Sequence, residues 1–119
     1  MLSRFLAKAA DPKGGGLSPS RVGGALKMSV ADLSRVTRLH RNTITRTPGS
    51  PSVQARVGEI ARIVTAAAEI VGDDAKAAVW FRHQPLMGFG GQTAEELVSA
   101  GHADAVLNHL DTLTDGGYA

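Results

Sequence analysis

The sequence predicts an all-α protein, and three observations carry that prediction. Apolar residues recur three and four apart, as in Val53, Val57, Ile60, Val64, Ala67 and Val71, which puts them on one side of a helix. Helix starts and stops punctuate the chain: Ser50-Pro51 before that stretch, Gly72 after it, and Thr93-Ala94-Glu95-Glu96 further on. No strand candidate survives a pass along the chain, so the layers must be helix on helix.

Taken in order, residues 1–16, MLSRFLAKAADPKGGG, are basic with some apolar residues. The apolar stretch is too short for a secretory signal, and the Gly run after it predicts a flexible arm. The alternative is an amphipathic turn that packs on a partner or on DNA. Ser18 or Ser20 starts a short helix through Arg21 and Val22 to Leu26, which Gly23 and Gly24 weaken while allowing close packing. Residues 28–47 read as two short helices around a tight turn, a helix-turn-helix. Ser29 caps the first, Asp32 favours its positive start, and Val30, Leu33 and Val36 share a buried stripe. Thr37, Arg38 and Leu39 form the turn. Arg38 stands where such motifs usually have glycine, so the turn carries a conformational cost.

Residues 47–51, TPGSP, break the chain, and Ser50 and Pro51 suit the cap and first position of a helix over 52–71. Ile63 and Ile70 widen its stripe, which is read as intramolecular core, with a dimer seam as the alternative. Gly72 ends it. Asp73 caps a helix over 74–82 that turns Ala75, Ala78, Val79 and Phe81 inward. The loop HQPLMGFGGQ follows, and its Leu86, Met87 and Phe89 must pack on something. The Thr93-to-Glu96 capping box opens a helix through Leu97 and Val98 to Gly101. A last helix over 103–115 sets Val106, Leu107, Leu110 and Leu113 on one face and leaves Gly116-Gly117-Tyr118-Ala119 as a tail. The organisation is thus an arm over 1–16, a helix-turn-helix module over 17–50, and a long bridging helix with a second helical domain over 51–119.

Length and composition bound the function. At 119 residues and 43% hydrophobic content the chain can bury a core without staples. It has no cysteine, which excludes disulfides, thiolate metal sites and cysteine nucleophiles and fits a cytoplasmic location. No apolar run approaches the ~20 residues a membrane helix needs. The net charge of +2 hides an asymmetry: residues 1–62 hold eleven Lys/Arg against three Asp/Glu, and residues 63–119 hold two against eight. A basic half suits a polyanion, and an acidic half suits a different partner such as a basic protein.

Within the basic half, Leu39 and Ile44 turn the second helix of the hairpin inward and leave Arg41, Asn42, Thr45 and Arg46 outward. Together with Arg38 and Thr43 these are the types that read DNA: guanidinium to guanine, carboxamide to adenine, hydroxyl to phosphate or base. The competing account is an ordinary core hairpin whose arginines form a solvated face.

The C-terminal residues carry a resemblance. Trp80, Pro85, Gly90-Gly91-x-Thr93, Glu96-Leu97, Gly101, the helix holding Val106 to Leu113, and Gly116 with Tyr118-Ala119 together resemble the toxin-binding domain of Xre/MbcA/ParS-type antitoxins, over roughly residues 54–119. Ala94 stands where that family often has proline. The resemblance implies a type II antitoxin that neutralises a RES-domain toxin, an NAD⁺-consuming enzyme, and represses its own operon by binding operator DNA, as a homodimer within a hetero-oligomer. It further implies that the C-terminal region covers the toxin's NAD⁺ pocket. Tyr118 and Ala119 would then enter it, Gly116 and Gly117 would allow the approach, and Trp80, Phe89 and Gly91 would act as scaffold or contact. By themselves, Tyr118 reads equally as a terminus without a role and Trp80 as core.

Other chemistries find little support. The Gly runs follow no strand and no Lys-Ser/Thr pair completes a P-loop, so no nucleotide cofactor is expected. His40, His83, His102 and His109 are scattered and lack metal-ligand spacing. Glu95 and Glu96 sit in a first helical turn, where negative charge is locally useful, and no nucleophile has a base beside it, so an enzyme is not expected. A plain helix-turn-helix regulator, with a C-terminal half that dimerises or binds a ligand, remains the alternative function.

Overall fold

A computed structural model describes residues 4–116, with side chains through residue 114. Eight helices occupy this range: α1 (Arg4–Ala9), α2 (Pro19–Leu26), α3 (Val30–Thr37), α4 (Arg41–Arg46), α5 (Pro51–Val71), α6 (Asp74–His83), α7 (Ala94–Ser99) and α8 (Ala103–Gly116). No strand occurs among the described residues, only two isolated antiparallel bridges, Ala10 to Leu17 and Pro85 to Thr93. The protein is all-α, as the sequence predicts.

Local chemistry sets most helix ends. Ser18, Ser29, Ser50 and Thr93 each accept a backbone N–H with the side-chain hydroxyl at the start of α2, α3, α5 and α7, and the Asp73 carboxylate accepts two at the start of α6. Ser29 with Asp32 and Thr93 with Glu96 form complete capping boxes. Gly72, at φ +84°, turns the chain from α5 into α6.

The core is organised on α5. Val53, Val57, Ile60, Ala61, Ile63, Val64 and Ala67 are buried within the single chain, so its apolar stripe is satisfied internally as far as Ala67. Helices α1, α2 and α3 pack on α5 from the basic half, while α6 and α8 pack on it from the acidic half. Gly23 lets α2 and α3 approach. A Cβ there would lie 2.9 Å from the Met28 carbonyl oxygen and 3.2 Å from Leu33 Cδ1. Gly23→Ala is therefore expected to destabilise the protein by about 1–3 kcal/mol, a cost of forcing backbone apart that urea unfolding would measure.

The structure corrects four expectations. Residues 4–9 are not a flexible arm but helix α1, because Phe5 and Ala9 lie four apart and both bury against α2 and α5. On α6 the inward line is Ala77 and Phe81; Val79, about half a turn away, is 60% exposed, and Ala75 is also outward. In the loop after α6, Leu86 is buried and Phe89 half-buried, but Met87 is 91% exposed at the corner of a turn closed by the Phe89 N–H on the Leu86 carbonyl. Ile70 and Val71, in the last turn of α5, and Leu113, near the end of α8, stay exposed where the spacing put them on buried faces. Helical spacing alone does not say where the covering neighbours end.

Candidate functional site

The DNA-reading candidates come from the hairpin α3–α4. Its first helix is fixed by the capping box: the Asp32 N–H donates to Ser29 Oγ at 3.0 Å and the Ser29 N–H to Asp32 Oδ2 at 2.9 Å. The Ser29 N–H holds the Asp32 carboxyl below its ordinary range; burial opposes this, and the Ser29 hydroxyl, Arg82 and Arg35 add to it. The support Asp32 gives the fold is therefore present above the ordinary carboxylate range and lost as the pH falls through the lowered value. Val36, Leu33 and Ile44 are buried, and Leu39 packs half-buried beside them. His40 caps α4, its Nδ1 accepting the Asn42 N–H at 3.1 Å.

Helix α4 is six residues long and brings Arg41, Asn42, Thr45 and Arg46 to the surface together. The Thr45 hydroxyl donates to the Arg41 carbonyl at 3.1 Å, which orients its oxygen along the helix. Among the described residues no carboxylate lies within ion-pair distance of Arg41 or Arg46. Thr43 is half-buried and less available. Arg38 goes elsewhere. It adopts φ +59° at the end of α3, and its guanidinium lies against Gly101 in the α7–α8 turn, where an added Cβ would meet Nη1 at 3.1 Å.

Gln54, on α5, positions the end of the hairpin. Its side chain accepts the Leu17 N–H at 2.9 Å and donates to the Leu17 and Pro48 carbonyls at 2.8 and 2.9 Å. The chain after α1 and the turn after α4 are thereby held to one side chain. A groove of about 320 Å³ opens beside them, with Val30, Leu33, Ile44, Thr45 and Pro48 among its walls.

In the acidic half, the candidates are spread. Trp80 is half-buried against the core, and Phe89 meets His109 edge to face, with centroids 5.5 Å apart and planes at 86°. Gly91 is exposed at φ +82° in the same loop as Phe89, a conformation that favours glycine. The loop is closed by the Leu86 N–H on the Gln92 carbonyl at 2.8 Å. Gly116 ends α8; Gly117, Tyr118 and Ala119 lie outside the described residues.

Sequence reasoning missed the charged cluster that joins the two halves. Arg82 donates from Nε to Glu95 Oε1 at 2.8 Å and from Nη1 to the Lys27 carbonyl at 2.6 Å, and its Nη2 lies 3.5 Å from Asp32 Oδ2. Arg35 pairs with Glu95 Oε2 at 3.4 Å and with Asp32 Oδ1 at 3.5 Å. Glu95 is only 7% exposed, so its charge is held by these partners rather than by water. One signal was available: Arg82 is one of just two cations in residues 63–119. Beside it, α2 and α6 leave a shallow cleft of about 180 Å³, lined by Ala25, Lys27, Ala78, Val79 and His83 among others.

Among the described residues no group of three His, Asp or Glu side chains could hold a metal, and no helix is long and apolar enough to cross a membrane. Residues 66–116 match the family described as the antitoxin Xre/MbcA/ParS C-terminal toxin-binding domain. No curated protein matches the chain.

Proposed function

We propose that this chain, whose residues 66–116 match the Xre/MbcA/ParS antitoxin toxin-binding domain, is an antitoxin that neutralises a RES-domain, NAD⁺-consuming toxin and represses its own operon through α4. The observation that carries the DNA part is the cationic face of Arg41 and Arg46 with Asn42 and Thr45, which no carboxylate of the described chain neutralises. Such a face fits phosphates and base edges. Charge asymmetry supports two partners: DNA for the basic half, the toxin for the acidic half. Dimers of this chain, bridged within a toxin–antitoxin assembly, would present two α4 helices to two half-sites.

Toxin neutralisation is assigned to the C-terminal region, with Tyr118 and Ala119 entering the NAD⁺ pocket, Gly116 and Gly117 giving them reach, and Trp80, Phe89 and Gly91 as contact or support. Two results are expected. Arg41→Ala weakens binding to a duplex from upstream of the coding sequence by about tenfold or more, while inhibition of NAD⁺ consumption by the neighbouring gene product is unchanged; equal gel-shift affinity removes Arg41 from the reading face. Deletion of residues 117–119 leaves the unfolding midpoint within error yet abolishes most of that inhibition. Undiminished inhibition would exclude the tail as the pocket plug.

A further inference from the structure

We propose that the toxin-binding half braces the two left-handed turns at the ends of α3, and so sets where the DNA-reading helix α4 stands. This rests on the assignment of DNA reading to α4. Lys27 and Arg38 are the two non-glycine residues with positive φ among the described residues, at +58° and +59°. They flank α3 on either side. A side-chain-bearing residue is strained there, because its Cβ crowds the neighbouring carbonyl.

Each strained turn is met by a group from the acidic half. At the first, Arg82 of α6 takes the Lys27 carbonyl at 2.6 Å while its other nitrogens hold Glu95 and the capping carboxylate Asp32. At the second, Gly101 of the α7–α8 turn lies under the Arg38 guanidinium, and the Ser99 hydroxyl donates to the Arg35 carbonyl at 3.3 Å. Gly101 is itself at φ +89°, so only glycine gives both the backbone bend and the room. Arg35 closes the set by pairing with Glu95. Helix α3 is therefore gripped at both ends by α6, α7 and the turn after α7, and α4 is carried on its far end. Arg82 is a positioning residue: none of its bonds goes to α4.

The test is Arg82→Gln in the full chain, assayed by gel shift on a duplex from upstream of the coding sequence. The expected result is roughly tenfold weaker binding, the equivalent of one left-handed residue left unsupported. The dependence of affinity on salt keeps its slope, because no phosphate contact is removed. Adding Lys27→Gly restores affinity, since glycine adopts the left-handed turn without a brace. Circular dichroism at the assay temperature checks that each variant is folded. Should Arg82→Gln fail to fold, Arg82→Lys keeps a charge beside Glu95 but cannot span the three acceptors, and a loss of about threefold is expected. Parental affinity in the folded Arg82 variant, with Arg41→Ala defective, overturns the bracing alone. Parental affinity in both overturns the DNA reading and the bracing with it. A loss that Lys27→Gly does not restore, or a shallower salt slope, assigns Arg82 to direct contact and overturns the bracing as well.

Discussion

Replacing Glu95 with alanine is expected to cost about 3 kcal/mol of folding stability. The carboxylate is nearly inaccessible to water, and it is the shared acceptor for Arg82 Nε at 2.8 Å and Arg35 Nη2 at 3.4 Å. Its removal leaves the Arg82 guanidinium, with a side chain only 18% exposed, facing Asp32 at 3.5 Å as its remaining anion. The damage comes chiefly from that stranded charge and less from the lost attraction, since an ion pair's desolvation cost nearly offsets its Coulomb gain. Urea unfolding measures it directly. A loss below about 1 kcal/mol would mean that water reaches Arg82 and that the cluster behaves as a surface pair. The neighbouring Glu96 makes a useful contrast, because it is exposed and serves only the capping box.

Phe81→Ala is expected to cost about 3–5 kcal/mol, the range for emptying an aromatic side chain from a close-packed interior. Phe81 is fully buried on α6, the helix that packs most extensively on α5 and also contacts α2 and α7. The cavity would thus open where the two halves of the chain meet, and several helices would have to move to close it. Against a total stability of about 5–15 kcal/mol for an ordinary domain, such a variant unfolds near physiological temperature. A midpoint lowered by less than a few degrees would show that α6 is free to collapse onto α5.

What the sequence revealed, it revealed through short-range chemistry. Ser29 with Asp32, Ser50 with Pro51, Asp73, and Thr93 with Glu96 all act within three residues of where they stand, and the structure places helix starts at each. The stripe of α5 was legible because Val53, Val57, Ile60, Val64 and Ala67 alternate steps of four and three within one 21-residue helix. The face of α6 and the exposed end of α8 at Leu113 were not, since which apolar residue is covered depends on neighbours distant along the chain. Met87 shows the same limit: an apolar loop residue has no periodicity to reveal that its turn points outward. The Arg82 cluster was least accessible of all. Lys27 and Arg82 are 55 positions apart, and Arg35 and Glu95 are 60 apart, so no local pattern links them. Helix α1 was hidden for a simpler reason, because a six-residue helix has room for only one pair of buried residues.

The match to the toxin-binding family begins at residue 66, fifteen positions into the unbroken helix α5. The matched segment thus starts inside a unit of folding. Transplanting residues 66–116 to another carrier would sever that helix between Thr65 and Ala66 and leave α6 and α8 without the buried side chains of Val57, Ile60 and Val64. A usable cassette must take the whole rod from Pro51, and with it the residues that the other half of the molecule leans on. Exchange of this segment for another would keep the fold only where the incoming helix offers the same faces to both sides.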